Sequence, residues 1–295
     1  MKNILFILIL FIFASCERDI TLDLPITAPK IIVDGYVERD LPPYIILSRS
    51  QGYFDPINSN SLNNLPERNA IVSISDGINT VVLTELDTII DGTRIGGIYA
   101  AIDPVSFFPT MIGTVGLTYT LDILTNDGKR VTSTTKLQAP VALDSTWFEI
   151  QDGKDSLGFT WAFLSDPDTA DNCYRWFSKR INKDDQFYAP FGSAFEDKFI
   201  NGQTFKFGFN RATIQNSTAV DDNNEEAGFF KLGDTIVVKF CTIDKSTFQF
   251  WRDAETQLGN NGSPFAVPSN IKSNIVGGIG LFASYSASYD TIIAR

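Results

Sequence analysis

Short runs in which apolar and polar residues alternate, each closed by Gly, Asn, Asp or Pro, recur roughly every ten to fifteen residues along most of this chain, while helical spacing is nearly absent. That pattern dictates a mainly β fold. Ile31 to Val37, Tyr44 to Ser48, Ala70 to Ser75, Thr80 to Glu85, Ile98 to Ile102, Thr118 to Leu124 and Arg130 to Lys136 are the candidate strands of the first half. Asp76-Gly77 and Asp127-Gly128 sit between apolar runs as tight turns, because Asp and Gly tolerate positive φ. Seven strands in about 120 residues fit an immunoglobulin-like sandwich.

Ala139-Pro140 interrupts the alternation and a new series begins at Ser145, which sets a boundary between domains 16–140 and 141–295. In the second half Phe205, Phe207 and Phe209 alternate with polar residues and glycine, the signature of a strand with one buried face. Leu157, Phe159, Trp161 and Phe163 repeat it, as do Ile236, Val238 and Phe240 and the closing Ile279, Leu281, Ala283 and Tyr285. A second β-sandwich-type domain is therefore expected, with one inserted helix near 246–258 that starts at a capping box of Ser246 and Gln249 and stops at Gly259. Between the early strands, Asp55 to Glu67 is rich in Asn, Ser and Pro and reads as an exposed loop, either a solvated connection or a partner contact.

The amino terminus carries an address. Lys2 precedes the apolar run Ile4 to Phe13, which is followed by small Ala14 and Ser15 and then Cys16. Such a run is too short for a spanning helix of about 20 residues, and it has the three regions of a secretory signal peptide, residues 1–15. A cysteine at the cut resembles the lipobox of bacterial lipoproteins, so Cys16 is expected to be lipidated and to tether the mature chain to a membrane. The charged residues Glu17, Arg18 and Asp19 that follow suit display at the cell surface.

Several chemistries fall away. A net charge of −11 repels phosphate backbones, so nucleic acid is not an expected partner. The absence of histidine from all 295 residues removes the common general base, the Ser-His-Asp and Cys-His pairs and most zinc sites. No phosphate-cradling G-x-x-x-x-G-K-[ST] loop and no G-x-S-x-G elbow is present, and no cofactor is expected. Gly277-Gly278-Ile279-Gly280 opens no helix, so it reads as close strand packing or a bulge. Glycoside hydrolysis needs only two carboxylates and stays open as an alternative, with no pair to nominate and hence no catalytic residue.

A few residues are candidates for binding. Asp166, Asp168 and Asp171 bunch oxygen ligands that could suit calcium, against a turn capped by Asx side chains. Asp221, Asp222, Glu225 and Glu226 form a second acidic stretch that reads as a solvated loop. Aromatic residues could furnish a platform for a sugar or a peptide. Trp161 and Trp251 lie on apolar faces and are expected to be buried, which leaves Trp176 as the candidate exposed aromatic. Cys173 and Cys241 could pair as a disulfide outside the cytoplasm, but both fall in strands and are expected as buried free thiols.

Ordered landmarks run through the chain: Ile31 to Val37, Leu47 to Ser50, Asn69 to Gly77, Gly97 to Tyr99, Leu117 to Tyr119, Asp127 to Lys129, Asn261 to Phe265, Asn270-Ile271 and Gly280 to Phe282. Together with the lipobox they resemble the Bacteroidota lipoproteins classed as domain of unknown function 4249. The resemblance implies an outer-membrane lipoprotein, typically associated with TonB-dependent receptors, with no catalytic residue to carry across. With the residue-level reading beside it, the expectation is a non-enzymatic, lipid-anchored β protein facing outward that binds a glycan or peptide ligand or a receptor partner in nutrient uptake. A glycan-active hydrolase and a structural envelope component are the other expectations.

Overall fold

The alternating runs become strands at nearly the expected places in the structure, a computed structural model that describes residues 28–52, 55, 58–90, 93–212, 226–259 and 270–295. The first half runs β1 (Ile31–Glu38), β2 (Tyr44–Arg49), α1 (Ser59–Asn63), β3 (Ile71–Ser75), β4 (Thr80–Val82), β5 (Thr84–Ile90), β6 (Thr93–Ala100), β7 (Thr118–Leu124) and β8 (Arg130–Lys136). The second runs β9 (Ser145–Ile150), β10 (Leu157–Ser165), β11 (Cys173–Arg180), β12 (Ala194–Glu196), β13 (Thr204–Phe209), β14 (Phe230–Lys231), β15 (Thr235–Ile243), α2 (Lys245–Gly259), β16 (Ile275–Val276) and β17 (Ile279–Ile293). The expected strand Thr80 to Glu85 is split between β4 and β5, and β6 starts five residues before Ile98.

Three sheets form. The longest has eight strands in the order β12-β11-β15-β17-β1-β2-β6-β5, and it draws on both halves of the chain. Its centre is a parallel pair, β1 on β17, in which Val33 stands beside Gly280. A Cβ at Gly280, whose φ is +113°, would stand 2.0 Å from the Val33 carbonyl, so the glycine-rich run serves close strand packing. A five-stranded sheet, β16-β8-β7-β3-β4, and a smaller one of β9, β10, β13 and β14 complete the fold.

Alternation along β17 explains the layering. Phe282 and Ile292 lie on one face of this strand, Leu281, Ala283, Tyr285 and Ala287 on the other. The first core joins Phe282 to Val33 and Leu47 of the long sheet and to Ile74, Leu121 and Val131 of the five-stranded sheet. A second core joins Ile292, Trp176, Tyr174 and Phe240 to Ala162, Leu164 and the phenylalanines of β13. Both small sheets thus pack on one side of the long sheet, and α2 covers the other through Phe248, Phe250 and Trp251.

Most of the first core precedes residue 140 and the second core follows it, but Ile275 and Phe282 enter the first core from beyond that point, and the long sheet draws on both sides of it. Between Phe282 and Ile292 the inner face of β17 turns polar, and its serines bind the connecting segment. Ser284 Oγ donates to the Lys136 carbonyl at 2.6 Å, Ser286 to that of Gln138, and Ser288 to that of Val141 at 3.4 Å. The Val141 N–H in turn donates to Thr242 Oγ1 at 3.0 Å.

The inserted helix begins earlier than its expected capping box. Asp244 caps it, accepting from the Thr247 N–H at 2.7 Å and from Ser246 Oγ at 2.9 Å, so the hydroxyl expected to cap is instead a donor to the residue that does.

Candidate functional site

The aromatic face of β10 points outward. Along this strand Thr160, Ala162 and Leu164 are buried, whereas Phe159 and Trp161 are half-buried and Phe163 is 40% exposed. The expectation that Trp161 shares a buried face is therefore corrected. The reason is volume: Phe205, Phe207 and Phe209 of β13 already fill the space between the sheets, so only small or aliphatic side chains of β10 fit inward.

Neighbouring strands extend this outer face. Trp161 stands directly across from Trp147 on β9 and from Gly208 on β13, Phe159 across from Glu149, and Phe163 across from Lys206. A Cβ added at Gly208 would meet three atoms of the Trp161 ring at 2.8, 2.9 and 3.0 Å. Those near-equal distances lay the face of the indole, not its edge, over the glycine. Trp147 and Phe163 have ring centroids 5.3 Å apart, and Phe159 stacks on Phe229 at 5.0 Å.

A charged pair is set among the rings. The Lys206 ammonium lies 4.3 Å from the Trp161 centroid and 5.1 Å from that of Trp147, within cation–π range of both. It donates to Glu149 Oε1 at 2.9 Å, and the Trp147 indole N–H donates to the same oxygen at 2.6 Å. Lys206 first and Trp147 second hold the Glu149 carboxyl below the usual range. Beside the rings a cavity of about 370 Å³ opens, lined by Gln151, Phe159, Trp161, Gly208, Phe209 and Asn210. This surface can hold a flat ligand against aromatic faces while offering donors and acceptors at its rim.

The residues singled out from sequence lie elsewhere. Trp176, expected to be exposed, is fully buried, 4.8 Å from Phe209 and 6.3 Å from Phe240 between ring centroids. β11 lies inside the long sheet and both its faces are covered, so the alternation between Trp176 and Arg175 separates two buried surfaces, not an inner from an outer one. Arg175 itself is buried under α2, its guanidinium 3.5 Å from the Trp251 centroid. Trp251 is half-buried there and donates to the Tyr285 hydroxyl at 2.9 Å.

Asp166, Asp168 and Asp171 are not brought together as a ligand set. Asp166 is buried and accepts from the Tyr174 hydroxyl and the Gly202 N–H, while Asp171 faces Lys245 at 3.3 Å. Among the described residues no group of three carboxylates or thiols could hold a metal ion. Cys173 and Cys241 are free and buried, and burial pushes both thiols up to about 12. Cys16 and the acidic residues Asp221, Asp222 and Glu225 lie outside the described residues, and Glu226 pairs with Lys231 at 2.5 Å. In the loop from Asp55 to Glu67 the structure places α1 and lets Glu67 pair with Arg49, beside a second cavity of about 460 Å³ with a polar rim.

No curated protein matches this sequence. The family described as Domain of unknown function (DUF4249) matches residues 17–290, nearly the whole chain, and the chain belongs to that family.

Proposed function

We propose that the protein is a non-catalytic, lipid-anchored binding protein of the outer membrane, displayed at the cell surface and accessory to a TonB-dependent receptor in nutrient uptake. The observation that carries this reading is the outward aromatic face of β10 with Trp147 and the Glu149–Lys206 pair beside it. Soluble β-sheets seldom leave a row of rings on the solvent side unless something docks there. Glu149 is held ionised by its lysine, which suits hydrogen bonding to a ligand and not the donation of a proton to a leaving group. The tether is assigned to Cys16 on the lipobox, and the receptor on the family resemblance.

The test combines fractionation with capture. The natural protein is expected in the outer-membrane fraction with an acylated Cys16, to move to the soluble fraction as Cys16→Ser, and to co-purify with a TonB-dependent receptor when pulled from native membranes. An unmodified Cys16 thiol on protein that washes free without detergent, or a pull-down that contains no such receptor, overturns the proposal.

A further inference from the structure

Resting on that binding role, we infer that the outer face of β9, β10 and β13 takes a neutral glycan, with Trp161 as the central stacking ring, Trp147 and Phe159 beside it, and Glu149, Lys206 and Gln151 at the sugar hydroxyls. A pyranose presents an apolar C–H face bounded by a rim of hydroxyls. The site offers the complement: flat rings at its centre and polar side chains at its edge.

Charge selects against ionic ligands. Glu149 and Lys206 neutralise each other across 2.9 Å, so the site presents no net charge to capture an anion or a cation. Both retain hydrogen-bonding capacity, since an ammonium has three donors and a carboxylate accepts several bonds. Geometry selects for a chain of rings. Phe159, Trp161 and Phe163 follow one another on one side of a strand, each about 6.8 Å from the next by the rise of antiparallel structure. A ligand covering all three needs several rings in line, as an oligosaccharide has.

An extended peptide fits less well. β10 is hydrogen-bonded to β9 on one side and to β13 and β14 on the other, so a peptide lying on its rings cannot pair with β10 and would have to leave them for the outer edges of β9 or β13. Gly208 belongs to the site by what it lacks, because any side chain there would lift Trp161 off the sheet.

Affinity electrophoresis of the detergent-solubilised full-length protein tests the assignment, through gels containing β-glucan, α-glucan, xylan or galactomannan, against a plain gel and one containing polygalacturonate. At least one neutral polymer is expected to retard the protein. Trp161→Ala should weaken that retardation about tenfold, the loss of one well-placed stacking contact. Lys206→Met, which keeps an unbranched side chain of similar length and removes the donors, should weaken it about fivefold. Phe159→Ala serves as a second variant should Trp161→Ala fail to fold. Retardation by no neutral polymer, by polygalacturonate alone, or to the same extent in the natural protein and the ring variants, overturns the glycan assignment. If the same preparation still captures a receptor from membranes, the glycan alone is lost and the binding role stands; if both fail, the proposed function falls with it.

Discussion

Gly208 lies directly across the strand pair from Trp161, and the missing Cβ is what lets the indole rest on the sheet. Valine suits strands better than glycine, so Gly208→Val should not weaken β13 as a strand. It should displace the ring, because a Cβ would sit 2.8 Å from it before any branching methyl is counted. We expect acrylamide quenching of tryptophan fluorescence to rise and retardation in polysaccharide gels to disappear, with unfolding free energy changed by less than about 1 kcal/mol. An unchanged quenching curve would show that the ring does not depend on this glycine.

Trp161 and Trp176 exchange the roles that alternation alone suggests, and their truncations should separate. Trp176 is fully buried among Phe207, Phe209 and Phe240, so Trp176→Ala should cost about 3–5 kcal/mol in denaturant unfolding. Trp161→Ala removes a half-buried ring on the outer face of β10 and should cost about 1 kcal/mol or less. Equal losses would contradict the assignment of faces.

These two tryptophans mark how far the sequence can be read. Period-2 alternation reveals that Phe159, Trp161 and Phe163 share a face, as do Tyr174 and Trp176, but it is silent on which face is inward. That depends on neighbours distant in sequence: Phe205, Phe207 and Phe209 occupy the space inside, so β10 must turn its rings out. The class of fold was legible because turns and alternation are local. The pairing of β1 with β17 was not, since it joins the two ends of the chain, and its local trace was a glycine whose need appears only once Val33 is beside it. The helix cap was misplaced by two residues because Asp244 and Ser246 are both competent caps and only the backbone geometry chooses between them.

The shared sheet makes the halves interdependent. Without β17 the first half loses Phe282 from its core and leaves β1 with an unpaired edge. A fragment ending at residue 140 is therefore expected to aggregate or stay unfolded in circular dichroism, while the full chain unfolds in one transition. Ser286→Ala, which leaves the Gln138 carbonyl without its donor, should cost about 1–2 kcal/mol. A soluble, cooperatively folding fragment would show instead that the first core is self-sufficient.

Cys173 and Cys241 sit on the buried face of the long sheet beneath α2, with thiols raised to about 12 by burial. The thiolate is the reactive species, so at pH 8 neither should react with Ellman's reagent in the native protein, and both should react at once in denaturant without prior reduction. Denatured protein that shows no thiol before reduction would mean that the pair is oxidised.

Asp184 and Arg180 form a largely enclosed ion pair at 2.8 Å. Burial alone would raise the Asp184 carboxyl, but the Arg180 guanidinium and backbone N–H outweigh it and hold the group below its ordinary value. A carboxyl depressed in the folded state contributes stability that is present above its unfolded value of about 3.9 and is lost as pH falls through the folded value. Asp184→Asn leaves Arg180 buried without its counter-charge, at a cost of about 3 kcal/mol at neutral pH. The difference between natural and variant protein in denaturant unfolding should therefore be largest at about pH 7, hold down to about pH 5, and shrink on further acidification. A gap that stays constant down to about pH 2.5 would mean that the carboxylate's charge contributes nothing and that the variant is weakened by packing alone.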